Sequence, residues 1–445
     1  MGLAGATSAV ATSAGAPSAG TASAASLSAG ATSTGADTRR ADYAIPGEYE
    51  PHAAVWLAWP TFQWFSAPEL DTRRTVAEIV QVLADRGVPS KLMCENERGI
   101  QAARRWLARN GYSLGPGVQV VPIPAVDIWV RDYGPIFVKD PATGRLAIAS
   151  YRQNQWGYST ANDPTSVQMT ELPDRVARFL GNDRVLRARI VSEGGNRICN
   201  GDGVLLVNRT LEMQRNPGTP WKEIEAAHRS SLGVTRIIGL NGGLREDLQA
   251  NREAPIPYFH ADEIIRLYGA QTTGGHADEF CQFAGPNRIV LAEVTEREAA
   301  GDPIMAANYA RLEEAYRTLS EETDAHGRPF EVVRIPVPDI DYMRVGPGEP
   351  MYSEFLARMC GVGRSKEFPE GKPVHIVKCA SYVNYLVTNG VVIAPRYGNA
   401  EKDDAVARIL QAAYDRDVVQ IDPTPINYVG GGIHCVTQQQ PDGAI

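Results

Sequence analysis

Several things are missing from this chain, and each absence excludes a class of function. No apolar run in the 445 residues approaches the roughly 18 that suggest a membrane span. The cysteines Cys94, Cys199, Cys281, Cys360, Cys379 and Cys435 show no CxxC and no zinc-like spacing. In a chain of this length they read as mostly reduced, buried thiols. No HExxH, GxxxxGK[ST] or GxGxxG motif occurs, so nothing marks a metalloprotease or a nucleotide site. Excess positive charge is also lacking. Lys and Arg total 44 against 52 acidic residues, a net charge of −8, whereas a nucleic-acid partner requires a basic face. The start lacks the basic residues and the Leu- or Val-rich run of a secretory signal. Arg39-Arg40 leads into Ala-Asp-Tyr rather than an apolar segment, which argues against a twin-arginine signal. A cytoplasmic location is the expectation.

What is present is 43% hydrophobic and 22% charged, the balance of a globular protein. Residues 1–42 are the exception, being almost wholly Ala, Gly, Ser and Thr. So few large apolar groups cannot offset the entropy of ordering, and a disordered tail is predicted. Residues 43–445 keep a globular composition without a second linker, which predicts one domain. Within it a unit recurs, consisting of two apolar strands around a polar turn, a helix and a further strand. The clearest copy runs from Tyr382-Val-Asn-Tyr-Leu-Val through Thr388-Asn-Gly390 to Val391-Val-Ile-Ala394. Asn-Gly between apolar runs predicts a type I′ hairpin. Asp404–Tyr414 follows with helical spacing, then Val418–Ile421 as a strand. Hairpins at Asn200–Gly203 and Gly285–Arg288 precede helical patterns at Trp221–Leu232 and Ala307–Leu319. Helices at Thr72–Leu83 and Gly99–Leu107 alternate with strands at Val55–Ala58 and Val118–Val121. The fold class is α/β, and repeated ββαβ units suggest radial or stacked repetition, with a plain α/β sheet as the alternative.

Four segments are dense in polar residues where apolar strands end. They are Asp127-Ile-Trp-Val-Arg-Asp-Tyr-Gly-Pro135, Glu193-Gly-Gly-Asn196, Gly274-Gly-His-Ala-Asp-Glu279 and Gly430-Gly-Gly-Ile-His-Cys435. Glycines beside ionisable residues indicate close backbone approach or sharp turns. Cys435 is the candidate nucleophile, active as a thiolate, with a buried inert thiol as the alternative. His434 is its neighbour, but successive strand residues face opposite ways. His276 is therefore the expected base, and on a strand it would share a face with Asp278. Asp132 and Asp278 are the carboxylates that could grip a planar cation through bidentate bonds. Their alternatives are a salt bridge to Arg131 and a role orienting His276. Trp129 could offer its face to a cation or an alkyl stem, or be an ordinary core residue. A metal held by His276, Asp278, His434 and Cys435 matches no local ligand spacing, and no cofactor is expected.

Taken in order, these segments resemble the agmatine deiminase and Porphyromonas-type peptidylarginine deiminase family. The resemblance runs from Pro46-Gly-Glu-Tyr-Glu-Pro-His-Ala-Ala-Val-Trp56 through Trp129-Val-Arg-Asp132, Glu193-Gly-Gly and Gly275-His276-Ala-Asp278. Tyr382-Val-Asn-Tyr385 and Gly430-Gly-Gly-Ile-His-Cys435-Val-Thr-Gln-Gln complete it. It implies a five-bladed α/β propeller of ββαβ units, a single catalytic domain with its site at the centre. It also implies a cysteine-dependent hydrolase that converts agmatine to N-carbamoylputrescine and ammonia, a reaction of putrescine biosynthesis. In that scheme Asp132 and Asp278 hold the guanidinium, Cys435 forms a thiouronium and His276 moves protons. Glu193, Gly431 and Gly432 support binding.

Two departures bear on the substrate. Thr272 stands where the family usually carries an acid, four residues before the histidine, and Gly432 stands where an Asn is usual. Arg152 could then meet the carboxylate of an arginine or a peptide, or be a surface arginine. Agmatine leads. Peptidyl arginine or another alkylguanidine follows, and a non-catalytic guanidine-binding protein is the remote reading. The expected partner is thus a small guanidino compound or peptidyl arginine, with a homo-oligomer left open.

Overall fold

The Asn-Gly hairpin forms where the sequence places it. Leu386–Thr388 and Val391–Pro395 are antiparallel strands, with Thr388 opposite Val391 across the two-residue turn. The turn is not type I′, however. Gly390 has φ 70°, while Asn389 is absent from the non-glycine residues with positive φ, and type I′ needs both. The reason lies in the Asn389 side chain. Its Oδ1 accepts from His52 N at 2.9 Å and its Nδ2 donates to His52 O at 2.7 Å, which fixes the turn against another strand.

The computed structural model describes residues 43–247, 254–260, 263–269, 272–360 and 371–445. The expected tail of residues 1–42 lies outside them, as does Gln271. The described residues from Tyr43 onward belong to one compact mixed α/β unit.

Four of its sheets share one pattern, an antiparallel hairpin followed by a parallel strand, and a fifth repeats it with an antiparallel pair that is not a hairpin and two parallel strands. The first combines Ile136–Lys139, Leu146–Arg152 and Val185–Val191. The second combines Arg197–Cys199, Val204–Asn208 and Arg236–Leu240. The third uses Cys281–Phe283, Arg288–Glu293 and Glu331–Pro336, and the fourth adds Asp417–Ile421 to the hairpin at Asn389. The fifth joins both ends of the chain. Gln438–Pro441 pairs antiparallel with His52–Ala58, which runs parallel to Ser90–Cys94, itself parallel to Val118–Pro122. A sixth sheet, of Ile256–His260, Glu263–Gly269, Val374–Val377 and Tyr342–Val345, was not anticipated and differs by its last strand, which adds antiparallel beyond the parallel one. Its hairpin exposes Phe259, His260, Glu263 and Ile264 and has no continuous apolar run to signal it.

The middle strands are continuous apolar runs because both faces are covered. Every residue of Val204–Asn208 and of Val391–Pro395 is buried. Amphipathic helices supply the cover. Thr72–Asp85 starts where Asp71 accepts from Arg73 N and buries Val76, Ile79, Val80 and Leu83. Ala400–Tyr414 is capped by Asn399 and buries Val406, Leu410 and Ala413.

The first strand of each repeated sheet follows a polar segment. Val130–Tyr133 precedes Ile136, Gly194–Asn196 precedes Arg197, and Ala277–Glu279 precedes Cys281. Tyr382–Tyr385 precedes Leu386, and Gly430–Cys435 precedes Gln438. The polar segments of the sequence are therefore equivalent positions of a repeated unit, brought together by the fold.

Asn389→Ala removes two hydrogen bonds that tie the fourth sheet to the fifth. We expect it to lower unfolding stability by about 1–3 kcal/mol, read from a urea titration with an unchanged slope. A midpoint equal to that of the parent protein would show that these bonds contribute nothing net.

Candidate active site

Cys435 sits in a turn between the short helix Thr424–Asn427 and the strand Gln438–Pro441. It is 1% exposed, yet it lines a cavity of about 450 Å³ together with Trp129, Asp132, Trp156 and Thr272. The glycines before it make room. A Cβ on Gly431 would lie 2.7 Å from Trp129 Cζ3 and 3.1 Å from Cys435 Sγ, and one on Gly432 would lie 2.4 Å from Asn384 Oδ1. Asn384 then holds the turn. Its Oδ1 accepts from His434 N at 2.9 Å, and its Nδ2 donates to Cys435 Sγ at 3.3 Å and to Glu279 Oε1 at 3.0 Å.

The centre of the site is defined by the side chain that Gly195 lacks. A Cβ there would lie 2.6 Å from His276 Nδ1, 2.8 Å from Asp278 Oδ2 and 3.0 Å from Asp132 Oδ1. Three functional atoms from two segments thus converge on one small space. Asp132 Oδ1 accepts from Gly195 N at 2.9 Å and Oδ2 from Trp156 Nε1 at 2.7 Å. Asp278 Oδ2 meets His434 Nδ1 at 2.7 Å and lies 3.7 Å from Cys435 Sγ. Asp278 Oδ1 is buried without a hydrogen-bond partner. His276 stands 3.5 Å from Asp132 Oδ1 through Nδ1 and 3.4 Å from Glu193 Oε2 through Nε2.

Burial and unbalanced charge set the protonation states. Burial pulls His276 down, but Asp132, Glu193 and Asp278 together hold it up to about 9. It is an imidazolium at neutral pH. Burial raises Asp132, partly opposed by His276 and reinforced by Asp278. Glu193 is held down to about 2 despite burial, mainly by Arg215, whose Nε donates at 2.8 Å. Burial and then Asp278, Glu279 and Asp132 push the Cys435 thiol well above its ordinary value. An isolated thiolate is thus disfavoured, and a cation bound among these carboxylates would favour it.

The sequence candidates separate into four groups. Cys435, Asp132, Trp129 and Thr272 line the cavity, and Gly431 and Gly432 underlie it. His276 and Asp278 stand behind this wall beside Gly195. Glu193 is buried against Arg215 and His276 and is not on the cavity wall. Arg152 is exposed at its strand end, donates to Asn162 at 3.1 Å and does not line the cavity.

Local geometry corrects two expectations. His276 and Asp278 are not on a strand. Ala277–Glu279 is a single helical turn with His276 at its start, and its curvature, not strand alternation, brings both toward Gly195. His434 also lies in a turn, so it does not face away from Cys435's surroundings. It bridges Asp278 and Glu48, with Nε2 at 2.8 Å from Glu48 Oε2. Arg131 pairs with Glu48 at 2.8 Å rather than with Asp132. Glu48, Glu279 and Asn384 belong to segments named above, but nothing local in the sequence marks their roles. Trp156, four residues after Arg152, carries no local signal of its role either.

Asp278, Glu279 and Cys435 are a group of described residues whose ligand atoms fall within 4.8 Å of one another. By distance they could hold a cation. The same set of two carboxylates and a thiol is also what an organic cation with an electrophilic carbon would meet.

The model of the Porphyromonas-type peptidyl-arginine deiminase family matches residues 44–272 and 256–441. An agmatine deiminase of Stutzerimonas stutzeri is 31% identical over 91% of this chain and 96% of its own length. One of Medicago truncatula is 30% identical over 90% of this chain and 96% of its own. A solved structure of the agmatine deiminase of Enterococcus faecalis superposes with a TM-score of 0.68 at 24% identity, covering 90% of this chain and 96% of that one. This last likeness shows the fold.

Gly195→Ala would press a methyl group between His276, Asp278 and Asp132. Overpacking of this kind costs about 1–3 kcal/mol of stability, and moving reactive groups by an ångström costs turnover about 100-fold. Unfolding and steady-state kinetics on a guanidine substrate would test both. Kinetics indistinguishable from the parent protein would show that the three atoms do not depend on this gap.

Proposed function

The chain belongs to the Porphyromonas-type peptidyl-arginine deiminase family, and from that premise we propose that it is a guanidine deiminase acting on agmatine. The reaction yields N-carbamoylputrescine and ammonia, a step toward putrescine. The observation that supports it best is that Cys435 Sγ and Asp132 lie on the wall of one cavity, with Asp278 3.7 Å from the sulfur and His276 3.5 Å from Asp132 directly behind it. We take the five like sheets as blades of one propeller and residues 43–445 as its single catalytic domain. No described helix is long and apolar enough to cross a membrane, which accords with a cytoplasmic enzyme.

The guanidinium enters between Asp132 and Asp278, whose oxygens match its planar fork. Its charge makes the Cys435 thiolate accessible, and Asp278 Oδ2 at 3.7 Å takes the thiol proton. Sulfur attacks the guanidinium carbon and gives a neutral tetrahedral adduct. His276, already an imidazolium, gives its proton to the departing nitrogen. Ammonia leaves and a cationic thiouronium remains. Neutral His276 then takes a proton from water, and the resulting hydroxide adds to the same carbon. Collapse breaks the C–S bond and releases the ureido product. Asp278 returns the proton to sulfur, and the hydroxyl proton leaves with ammonia as ammonium. Glu193 acts through His276, as a positioning residue.

Ammonia and ureido-product release should be measured with agmatine, free arginine and a blocked arginyl peptide side by side. Agmatine is expected to be turned over fastest, and Cys435→Ala to abolish turnover while the chain stays folded. Preference for the peptide would move the protein to peptidylarginine chemistry, and an active Cys435→Ala protein would remove the covalent mechanism.

His276 must be protonated when ammonia departs. Because its folded pKa is raised from 6.5 to about 9, the acid is present through neutral pH and lost as pH rises through 9. The kcat/KM profile should therefore be level from about pH 7 to 8 and fall about tenfold per unit beyond the shifted value. A fall beginning near 6.5 would contradict this assignment.

A further inference from the structure

The cavity holds a second carboxylate arrangement that the deimination scheme does not use. Three aspartates line it: Asp127, Asp132 and Asp163. Asp132 belongs to the guanidinium. Asp127 serves its own segment, its Oδ1 accepting from Trp129 N and Tyr133 Oη at 2.9 Å, and burial pushes its carboxyl up to about 7. Asp163 is partly exposed at the N-terminus of the short helix Pro164–Thr170. Its two hydrogen bonds, from Thr165 N at 2.9 Å and Gln155 Nε2 at 2.7 Å, both fall on Oδ1.

The connection between Asp163 and Asp132 is unusual. Gln155 bonds Asp163, and the next residue, Trp156, bonds Asp132 Oδ2 at 2.7 Å. Both have left-handed backbones, φ 54° and 55°, and Gly157 follows at φ 80°. Among the described non-glycine residues only Asp415 shares this conformation. A left-handed conformation is costly for an L side chain of this size and persists where the surroundings demand it, commonly at functional sites. Here it makes one dipeptide reach two carboxylates on the wall of one cavity.

We propose that Asp163 receives the distal ammonium of an aminoalkyl guanidine, and that Gln155–Trp156 sets the span between this carboxylate and Asp132. The assignment rests on the deiminase reading and deepens it. It accounts for recognition of a dicationic substrate in a chain with Thr272 on the cavity wall and no acid at that position. A peptidyl arginine has no second cation to offer, and free arginine places a carboxylate beside its amine, so Asp163 disfavours both.

The test compares agmatine with n-butylguanidine, which lacks the amine. Asn caps a helix about as well as Asp, so Asp163→Asn removes charge while keeping the bond to Thr165 N. With the catalytic cysteine intact, Asp163→Asn is expected to lower the preference for agmatine over butylguanidine about tenfold or more, the loss appearing in KM rather than kcat. Calorimetric binding of both compounds to the Cys435→Ala protein, with and without Asp163→Asn, reads the same contact without turnover. Agmatine binding that depends on Asp163 while neither guanidine is turned over would end the deiminase reading and leave the Asp163 site standing. Turnover of both guanidines with no loss of preference in Asp163→Asn would overturn the proposal and leave the deiminase reading standing. The same loss appearing in Asp127→Asn and not in Asp163→Asn would also overturn it.

Discussion

Two aspartates are buried beside each other around a residue with no side chain, and much of the molecule is arranged to make that tolerable. Taking a carboxylate out of water costs several kcal/mol even after relaxation. Asp132 and Asp278 each raise the cost of the other's charge. Gly195 N and Trp156 Nε1 bond the first, His434 bonds the second, and His276 stands near both. Each partner comes from a different stretch of chain. Converging segments at the heads of repeated sheets are a direct way to surround so small a space. The short first strands and tight turns of those sheets follow from that need.

The compensation is incomplete. Asp278 Oδ1 and Glu279 Oε2 stay buried without partners, and Glu279 is raised well above the usual carboxylate range by burial and then by Asp278. The anionic surplus disfavours the Cys435 thiolate in the same stroke. A cationic ligand satisfies the carboxylates and lowers the electrostatic cost of ionising the sulfur. On the proposed mechanism, nucleophile activation is thereby tied to occupancy by a compound of the right charge, and the thiol stays quiet until substrate is present.

The repeated unit was legible because its signals are local. Apolar runs, polar turns and helical spacing placed the helix at Trp221–Leu232 and the strand at His52–Ala58 within a few residues. The polar segments were legible as chemistry because charged residues beside glycines are out of place at apolar strand ends. What the sequence did not show is pairing between distant segments. Nothing near Glu48 indicates that its carboxylate meets His434, 386 residues away, and nothing near Trp156 points to Asp132. The sixth sheet escaped for another reason, since partly exposed strands carry no strong period.

His434 shows how a sound rule can mislead about a particular residue. Neighbours on a strand face apart, and that argument set His434 aside as the base because it immediately precedes Cys435. The glycines break the strand, so the premise fails where the argument was applied. In the turn that results, His434 has a carboxylate at each ring nitrogen, Asp278 at 2.7 Å and Glu48 at 2.8 Å. With acceptors on both sides, the pKa of the imidazole is raised, the pull of burial and Arg131 being outweighed by Glu48 and Asp278. It fixes the orientation of Asp278 through Oδ2 and leaves Oδ1 without a partner. The glycine run therefore does two things at once: it opens space beside the sulfur, and it lets the histidine before Cys435 turn back to brace the carboxylate 3.7 Å from that sulfur.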